Sequence, residues 1–174
     1  MKSSGKQPLE GNVEVDETVA GGQEEGVRGR KNEKKKIVAV AIERKGKGVS
    51  RVYGKVIGHS SAKELGEFMQ ASINANALIK TDEWTGYTPL KQQFKYLRQE
   101  PSGKKGKSFP DLHRVIMSFK GWLRGVHHHV ERLQAYVDEY TYRFNRSFMK
   151  GDIFDNLLLR MLSAQPYPYK MFSS

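Results

Sequence analysis

Between Asn12 and Ala20 apolar and polar residues alternate (NVEVDETVA), which is the period-two pattern of a half-buried strand. Val13 and Val15 are expected to face the core, with Glu14 and Asp16 together on the opposite face. Gly21-Gly22 ends that strand, and a loop rich in glycine and basic residues runs from Gln23 to Lys36. The run Ile37 to Glu43 (IVAVAIE) is almost continuously apolar, as a central strand buried on both faces is. Lys45-Gly46-Lys47-Gly48 turns the chain, and Arg51 to Ile57 (RVYGKVI) returns as a third strand. Ser60 or Ser61 is placed to cap the next helix, with Glu64 available to complete a capping box with Ser61. In that helix Leu65, Phe68, Met69 and Ile73 share a face. Ala77 to Asp82 reads as a fourth strand, Glu83 to Leu90 as a loop or short helix, and Tyr96 to Glu100 as a fifth strand. A basic loop, Pro101 to Pro110, precedes helical patterns at 112–126, 130–146 and 152–163. In the first of these, Leu112, Val115, Ile116, Phe119, Trp122, Leu123 and Val126 form an apolar stripe. In the second, Leu133, Val137, Tyr140 and Phe144 are expected in the core. Strands, a helix, a strand and then helices make an α/β arrangement.

Charge narrows the class. The chain has 174 residues, enough for one domain, and a formal net charge of +11. Its pI of about 9.8 points to a polyanionic partner, of which nucleic acid is the usual one. No stretch approaches the roughly 20 apolar residues of a membrane span, and Met1 to Gly11 lacks the apolar core of a signal peptide. A cytoplasmic protein is expected, with 1–11 a disordered leader, 12–164 one folded domain and 165–174 a tail. There is no cysteine, so disulfides and thiolate zinc sites are excluded. A metal would be held by carboxylates, carbonyls or histidine, and a hard ion such as Mg²⁺ is the natural choice.

Candidate chemistry starts from two acids. Asp16 lies in a strand that should be central, and Asp82 ends another apolar strand. An Asp at such a place is expensive unless solvated, paired or bound to metal. Two carboxylates on neighbouring strands would make a divalent-metal site suited to phosphoryl transfer; the plainer reading is two strand-end or turn residues. On the 112–126 helix, His113 and Lys120 stand one above the other at the edge of the apolar stripe, with Arg124 just beyond.

Three motifs then resemble the bacterial insertion-sequence transposases of the ISXO-like group. They are Val13-Glu14-Val15-Asp16-Glu17-Thr18 with Gly21-Gly22, Thr81-Asp82-Glu83-Trp84-Thr85-Gly86-Tyr87, and Gly125 to His129 followed by Leu133 to Tyr140 and Tyr142 to Arg146. The resemblance covers about Leu9 to Leu159. It implies a ribonuclease H-like mixed sheet flanked by helices, with a helical C-terminal part. It also implies a D-D-E-type triad and a lysine seven residues after the third member. Asp16 and Asp82 match the two aspartates, and Lys120 matches the lysine. His113 stands where many members carry Glu, bringing nitrogen and no negative charge. Mg²⁺ prefers oxygen and Mn²⁺ accepts imidazole more readily, so either ion is implied. The implied activity is metal-dependent phosphodiester hydrolysis and strand transfer moving an insertion sequence. The implied partners are the element's ends and target DNA, engaged by a homo-oligomer. Longer members carry a zinc ribbon and a helical DNA-binding region before the first aspartate. Here 15 residues precede it, so a truncated copy or half of a split gene is expected.

Several residues keep two readings. Glu14 is the better auxiliary acid beside Asp16, and Glu83 should be exposed. Trp84 and Tyr87 would either stack on a frayed base or pack a loop over the core. His127, His128 and His129 cannot converge on one zinc from a helix, so a turn near phosphate suits them better. Arg28, Arg30, Lys104 and Lys105 are expected to grip the DNA backbone with Lys120 and Arg124, or else merely to solvate the surface. Arg143 and Arg146 either meet DNA or are solvated. Two rival functions remain: an inert remnant that only binds DNA, and a ribonuclease H-like nuclease or resolvase without strand transfer.

Overall fold

The computed structural model describes residues 7–21, 36–103, 108–126 and 132–165. Five strands form one sheet: β1 (Asn12–Ala20), β2 (Lys36–Lys45), β3 (Gly48–Ile57), β4 (Leu78–Thr81) and β5 (Leu97–Gln99). Their spatial order is β3-β2-β1-β4-β5. β1, β2 and β3 pair antiparallel, while β4 runs parallel to β1 and β5 parallel to β4. The β2–β3 connection is a two-residue hairpin, since Lys45 pairs with Gly48. Gly46 takes φ 61° at its first central position, where such turns favour glycine.

Both faces of the sheet are covered, and β2 shows how. Ala39 and Ala41 face a core built with α1 (Ala62–Ser72) and a 3-10 helix (Thr85–Gln92), while Val38, Val40 and Ile42 face a core built with α2 (Pro110–Val126) and α3 (Leu133–Asn145). That two-sided burial is why the strand reads as a continuous apolar run. On β1, Val13 and Val15 join the first core. Glu14 faces the other way but is only 3% exposed, because α2 covers it.

The capping of α1 departs from the reciprocal box. The Ser61 hydroxyl accepts from the Glu64 amide at 3.3 Å, but the Glu64 carboxylate accepts from the amides of Gly58 and His59 instead. Leu9, in the segment read as a leader, is fully buried and bridges to Ile73. In α2 the stripe holds at Leu112, Val115, Ile116, Phe119 and Leu123, whereas Val126 is 55% exposed at the helix end.

Helix α3 closes the β3 edge of the sheet. The Val52 amide donates to Asn145 Oδ1 at 2.7 Å, and Asn145 Nδ2 donates to the Val52 carbonyl at 2.9 Å. The Val56 amide donates to Gln134 Oε1 at 2.7 Å. Side chains thus stand in for a missing strand and satisfy an edge that would otherwise invite pairing. Close approach needs Gly54, since a Cβ there would lie 2.7 Å from Val137 Cγ1. After α3, α4 (Asp152–Leu162) contains no buried residue. It is tied back where Asn156 Oδ1 accepts from the Tyr142 hydroxyl and from Arg146 Nε, both at 3.0 Å. Arg146 also lies 4.2 Å above the Tyr142 ring, which gives it an intramolecular place.

Candidate active site

The parallel pairing of β1 with β4 sets Val15 opposite Thr81. The next residue in each case is an aspartate, so Asp16, midway along β1, and Asp82, just past the end of β4, stand side by side on neighbouring strands about 4.8 Å apart. Strand alternation turns both toward the α2 side, away from Val15 and Thr81. Both are half-buried.

Local hydrogen bonds hold each carboxylate. Asp16 Oδ1 accepts from the Glu17 amide at 2.7 Å. Asp82 Oδ1 accepts from the Trp84 amide at 3.0 Å, an Asx turn that starts the following loop. That loop is clamped from β5, where Gln99 Nε2 donates to the carbonyls of Asp82 and Trp84. The Trp84 indole donates to the Ser60 carbonyl at 2.9 Å. Gly86 permits this approach, because a Cβ there would lie 2.7 Å from the indole nitrogen and 2.8 Å from the Ser60 oxygen. Tyr87 is fully buried, so of its two readings the packing one describes it. Its hydroxyl donates to Glu17 Oε2 at 2.9 Å. Burial pushes that hydroxyl well above its ordinary range, and the charges of Glu17, Asp16 and Asp82 push it the same way.

From α2, Lys120 approaches the same place. Burial lowers its ammonium below the usual value, Asp16 acts to raise it, and neighbouring Arg124 acts to lower it. Arg124 is exposed, and its Nε donates to the Lys120 carbonyl at 3.4 Å. His113 lies two turns earlier on the exposed side of α2. Among the described residues no group of three His, Asp or Glu side chains is arranged to hold a metal ion. The structure therefore gathers Asp16, Asp82 and Lys120, and does not add His113 to a three-ligand set. Arg28, Arg30, Lys104, Lys105 and His127 to His129 lie outside the described residues.

Glu14 shares a face with Asp16 but has a different environment. Its Oε1 pairs with Arg44 at 3.2 Å, Arg44 pairs with Asp111 at 3.0 Å, and Asp111 pairs with Arg114 at 2.9 Å. Burial raises the Glu14 carboxyl above its usual value, Arg44 offsets only part of this, Asp111 adds to the rise, and Glu14 Oε2 has no hydrogen-bond partner among the described residues. Glu14 is thus fastened to the start of α2, while Glu83 is exposed. The Glu17–Tyr87 pair was not foreseen from sequence. Its only trace is an acid adjoining Asp16 and a tyrosine in the motif of Asp82.

A mixed sheet in this order, with helices on both faces, one aspartate midway along β1 and a second just past the end of the parallel β4, is a ribonuclease H-like fold. The family model described as ISXO2-like transposase domain matches residues 8–145, and the chain belongs to that family. The match stops at the end of α3, so α4 lies beyond it. A search of curated proteins found no match. No helix among the described residues is long and apolar enough to cross a membrane.

The donor set suits the divalent ion that the family implies. Mg²⁺ keeps several waters and is commonly held by one or two carboxylates plus substrate phosphates. Asp16 and Asp82, half-buried and side by side on neighbouring strands, are two carboxylates of that kind.

Proposed function

We propose that this chain is the catalytic domain of a DNA transposase, spanning residues 12–164, that hydrolyses the phosphodiester at an insertion-sequence end and joins the freed 3′-hydroxyl to target DNA. The observation that carries this reading is the in-register placement of Asp16 and Asp82 within a transposase-family chain. Asp16 and Asp82 would hold Mg²⁺ or Mn²⁺, which when bound lowers the pKa of water and neutralises charge developing at phosphorus. Lys120 would meet a phosphate oxygen as a point charge, beside Asp16. His113 would act as a further ligand or as general base. The protein's task is positioning and charge neutralisation, with no covalent enzyme intermediate. Arg28, Arg30, Lys104, Lys105 and Arg124 would grip the duplex backbone without reading sequence. The working form would be a homo-oligomer on paired DNA ends in the cytoplasm.

A second reading has its own support. His113 is exposed and outside any three-ligand group among the described residues, which favours a remnant that binds DNA without cutting it. Pre-cleaved element ends incubated with supercoiled target in Mg²⁺ or Mn²⁺ separate the two. Joined products support the transposase. DNA retention without any joining supports the remnant, and nicking without joining supports a nuclease. In the same assay, H113A activity equal to wild type removes His113 from the chemistry.

A further inference from the structure

We propose that Glu17, held in place by the Tyr87 hydroxyl, is a third negative charge of the acidic centre and strengthens its hold on a divalent cation without being one of the cation's ligands. This rests on the reading that Asp16 and Asp82 bind the ion. His113, at the position where a third acid is expected, brings no negative charge, so the electrostatic deficit has to be met elsewhere or left unmet. Glu17 is the next residue after Asp16, and alternation sends its side chain to the opposite face of β1. From that face it does not complete a three-ligand group with the aspartates, in keeping with the described residues. A charge acts through space, however, and from the far face of one strand in a partly desolvated setting it still favours a doubly charged ion.

The placement of Glu17 is built. Tyr87 has no exposed surface, and its hydroxyl donates to Glu17 Oε2 at 2.9 Å. A half-buried carboxylate is thereby given a donor that offsets part of its desolvation. Tyr87 is itself anchored, with its amide donating to the Trp84 carbonyl, which also accepts from Gln99. Gln99 bonds the Asp82 carbonyl as well, so one clamp sets both Asp82 and Tyr87. The Tyr87–Glu17 bond then ties the loop bearing Asp82 to the strand bearing Asp16. The Tyr87 hydroxyl feels Glu17, Asp16 and Asp82 together, so the three carboxylates share one field.

Mn²⁺ binding to the full chain, followed by electron paramagnetic resonance of the free ion, tests this apart from turnover. Wild type should bind, and D16N should lose most of the affinity. E17Q keeps an oxygen acceptor for Tyr87 but drops the charge, and its affinity should fall about five- to tenfold. Its thermal midpoint should stay near wild type, and the deficit should shrink in high salt. Y87F keeps the charge but frees the side chain, and should fall between wild type and E17Q. Wild-type Mn²⁺ affinity in E17Q overturns the proposal. Wild-type affinity in Y87F with weakened E17Q overturns the positioning role of Tyr87 alone. If D16N and D82N both bind as wild type does, the reading of the centre itself fails, independently of Glu17.

Discussion

Glu14 and Asp16 stand one pleat apart on the same face of one strand, yet their surroundings share little. Glu14 is 3% exposed and enclosed by Arg44, with Asp111 and Arg114 completing a chain of alternating charge to the start of α2. Asp16 is half-buried beside a second aspartate, with a lysine ammonium in electrostatic reach. A buried carboxylate matched by a guanidinium is neutralised internally and anchors structure. A carboxylate set against another carboxylate leaves negative charge where β4 ends beside β1, and a cation there would relieve it. The difference teaches that the helix over the sheet, rather than the strand itself, decides which acid becomes structural.

The largest expected effect breaks the comparison at Asp16. D16N or D82N should reduce strand cleavage to the level of the metal-free reaction while leaving the fold intact, as read by far-ultraviolet circular dichroism and the urea midpoint. Removing one of two adjacent like charges relieves repulsion, so stability should be unchanged or slightly higher. A D16N protein that still cleaves normally would make Asp16 as structural as Glu14. The converse change is R44A, which leaves Glu14 buried without its guanidinium. Losing one partner of a buried pair costs about 3–5 kcal/mol, and the lower end applies because Arg44 is more than a third exposed. Urea unfolding of R44A at neutral pH measures this, and a change within about 0.5 kcal/mol of zero would mean that the network holds nothing.

How much of this contrast was legible depends on the distance over which each fact is set. Parity along β1 is local, so the common face of Glu14 and Asp16 followed from alternation. The burial of Glu14 did not, because its cover arrives on a helix almost a hundred residues later. The adjacency of Asp16 and Asp82 was expected, but the pairing of Val15 with Thr81 that produces it belongs to the assembled sheet. The apolar stripe of α2 was correct through Leu123 and overran at Val126, since periodicity reports a helix's inner side and not where its partner ends. Ser61 caps α1 as its sequence suggests, yet Glu64 turns to Gly58 and His59, which lie just as close along the chain. The Tyr87–Glu17 bond spans 70 positions and had no local sign.

A third acid on the neighbouring strand sharpens the rule. Glu43 accepts from Arg51, from the Ser50 hydroxyl and from the Glu10 amide. Burial alone would raise its carboxyl, but the bonds from Arg51, Ser50 and Glu10 outweigh it, and the net shift is downward from 4.5. An acid depressed in the folded state contributes stability above its unfolded value and loses it as pH falls through the folded value. E43Q should therefore cost about 1–3 kcal/mol at pH 7, with the deficit shrinking below about pH 4.5. Denaturant titrations of both proteins at pH 7 and pH 3.5 give this difference, and an equal deficit at both would point to lost packing rather than lost charge.

The smallest effect is at Lys120, the cation that separates the open end of the face from the closed one. Arg44 is fastened by two carboxylates and should be irreplaceable for stability, whereas Lys120 gives up hydration for the company of Asp16 and Arg124, which act on its ammonium in opposite senses. A lysine so placed contributes little to folding, and K120M should unfold within about 0.5 kcal/mol of wild type. Its proposed role lies with phosphate. Each neutralised phosphate adds about 0.9 to the slope of log affinity against log salt, so K120M should bind duplex DNA severalfold more weakly at low salt with a slope shallower by about one. An unchanged slope together with lost stability would move Lys120 to the structural side, and the division between the two ends of this face would then rest on the aspartates alone.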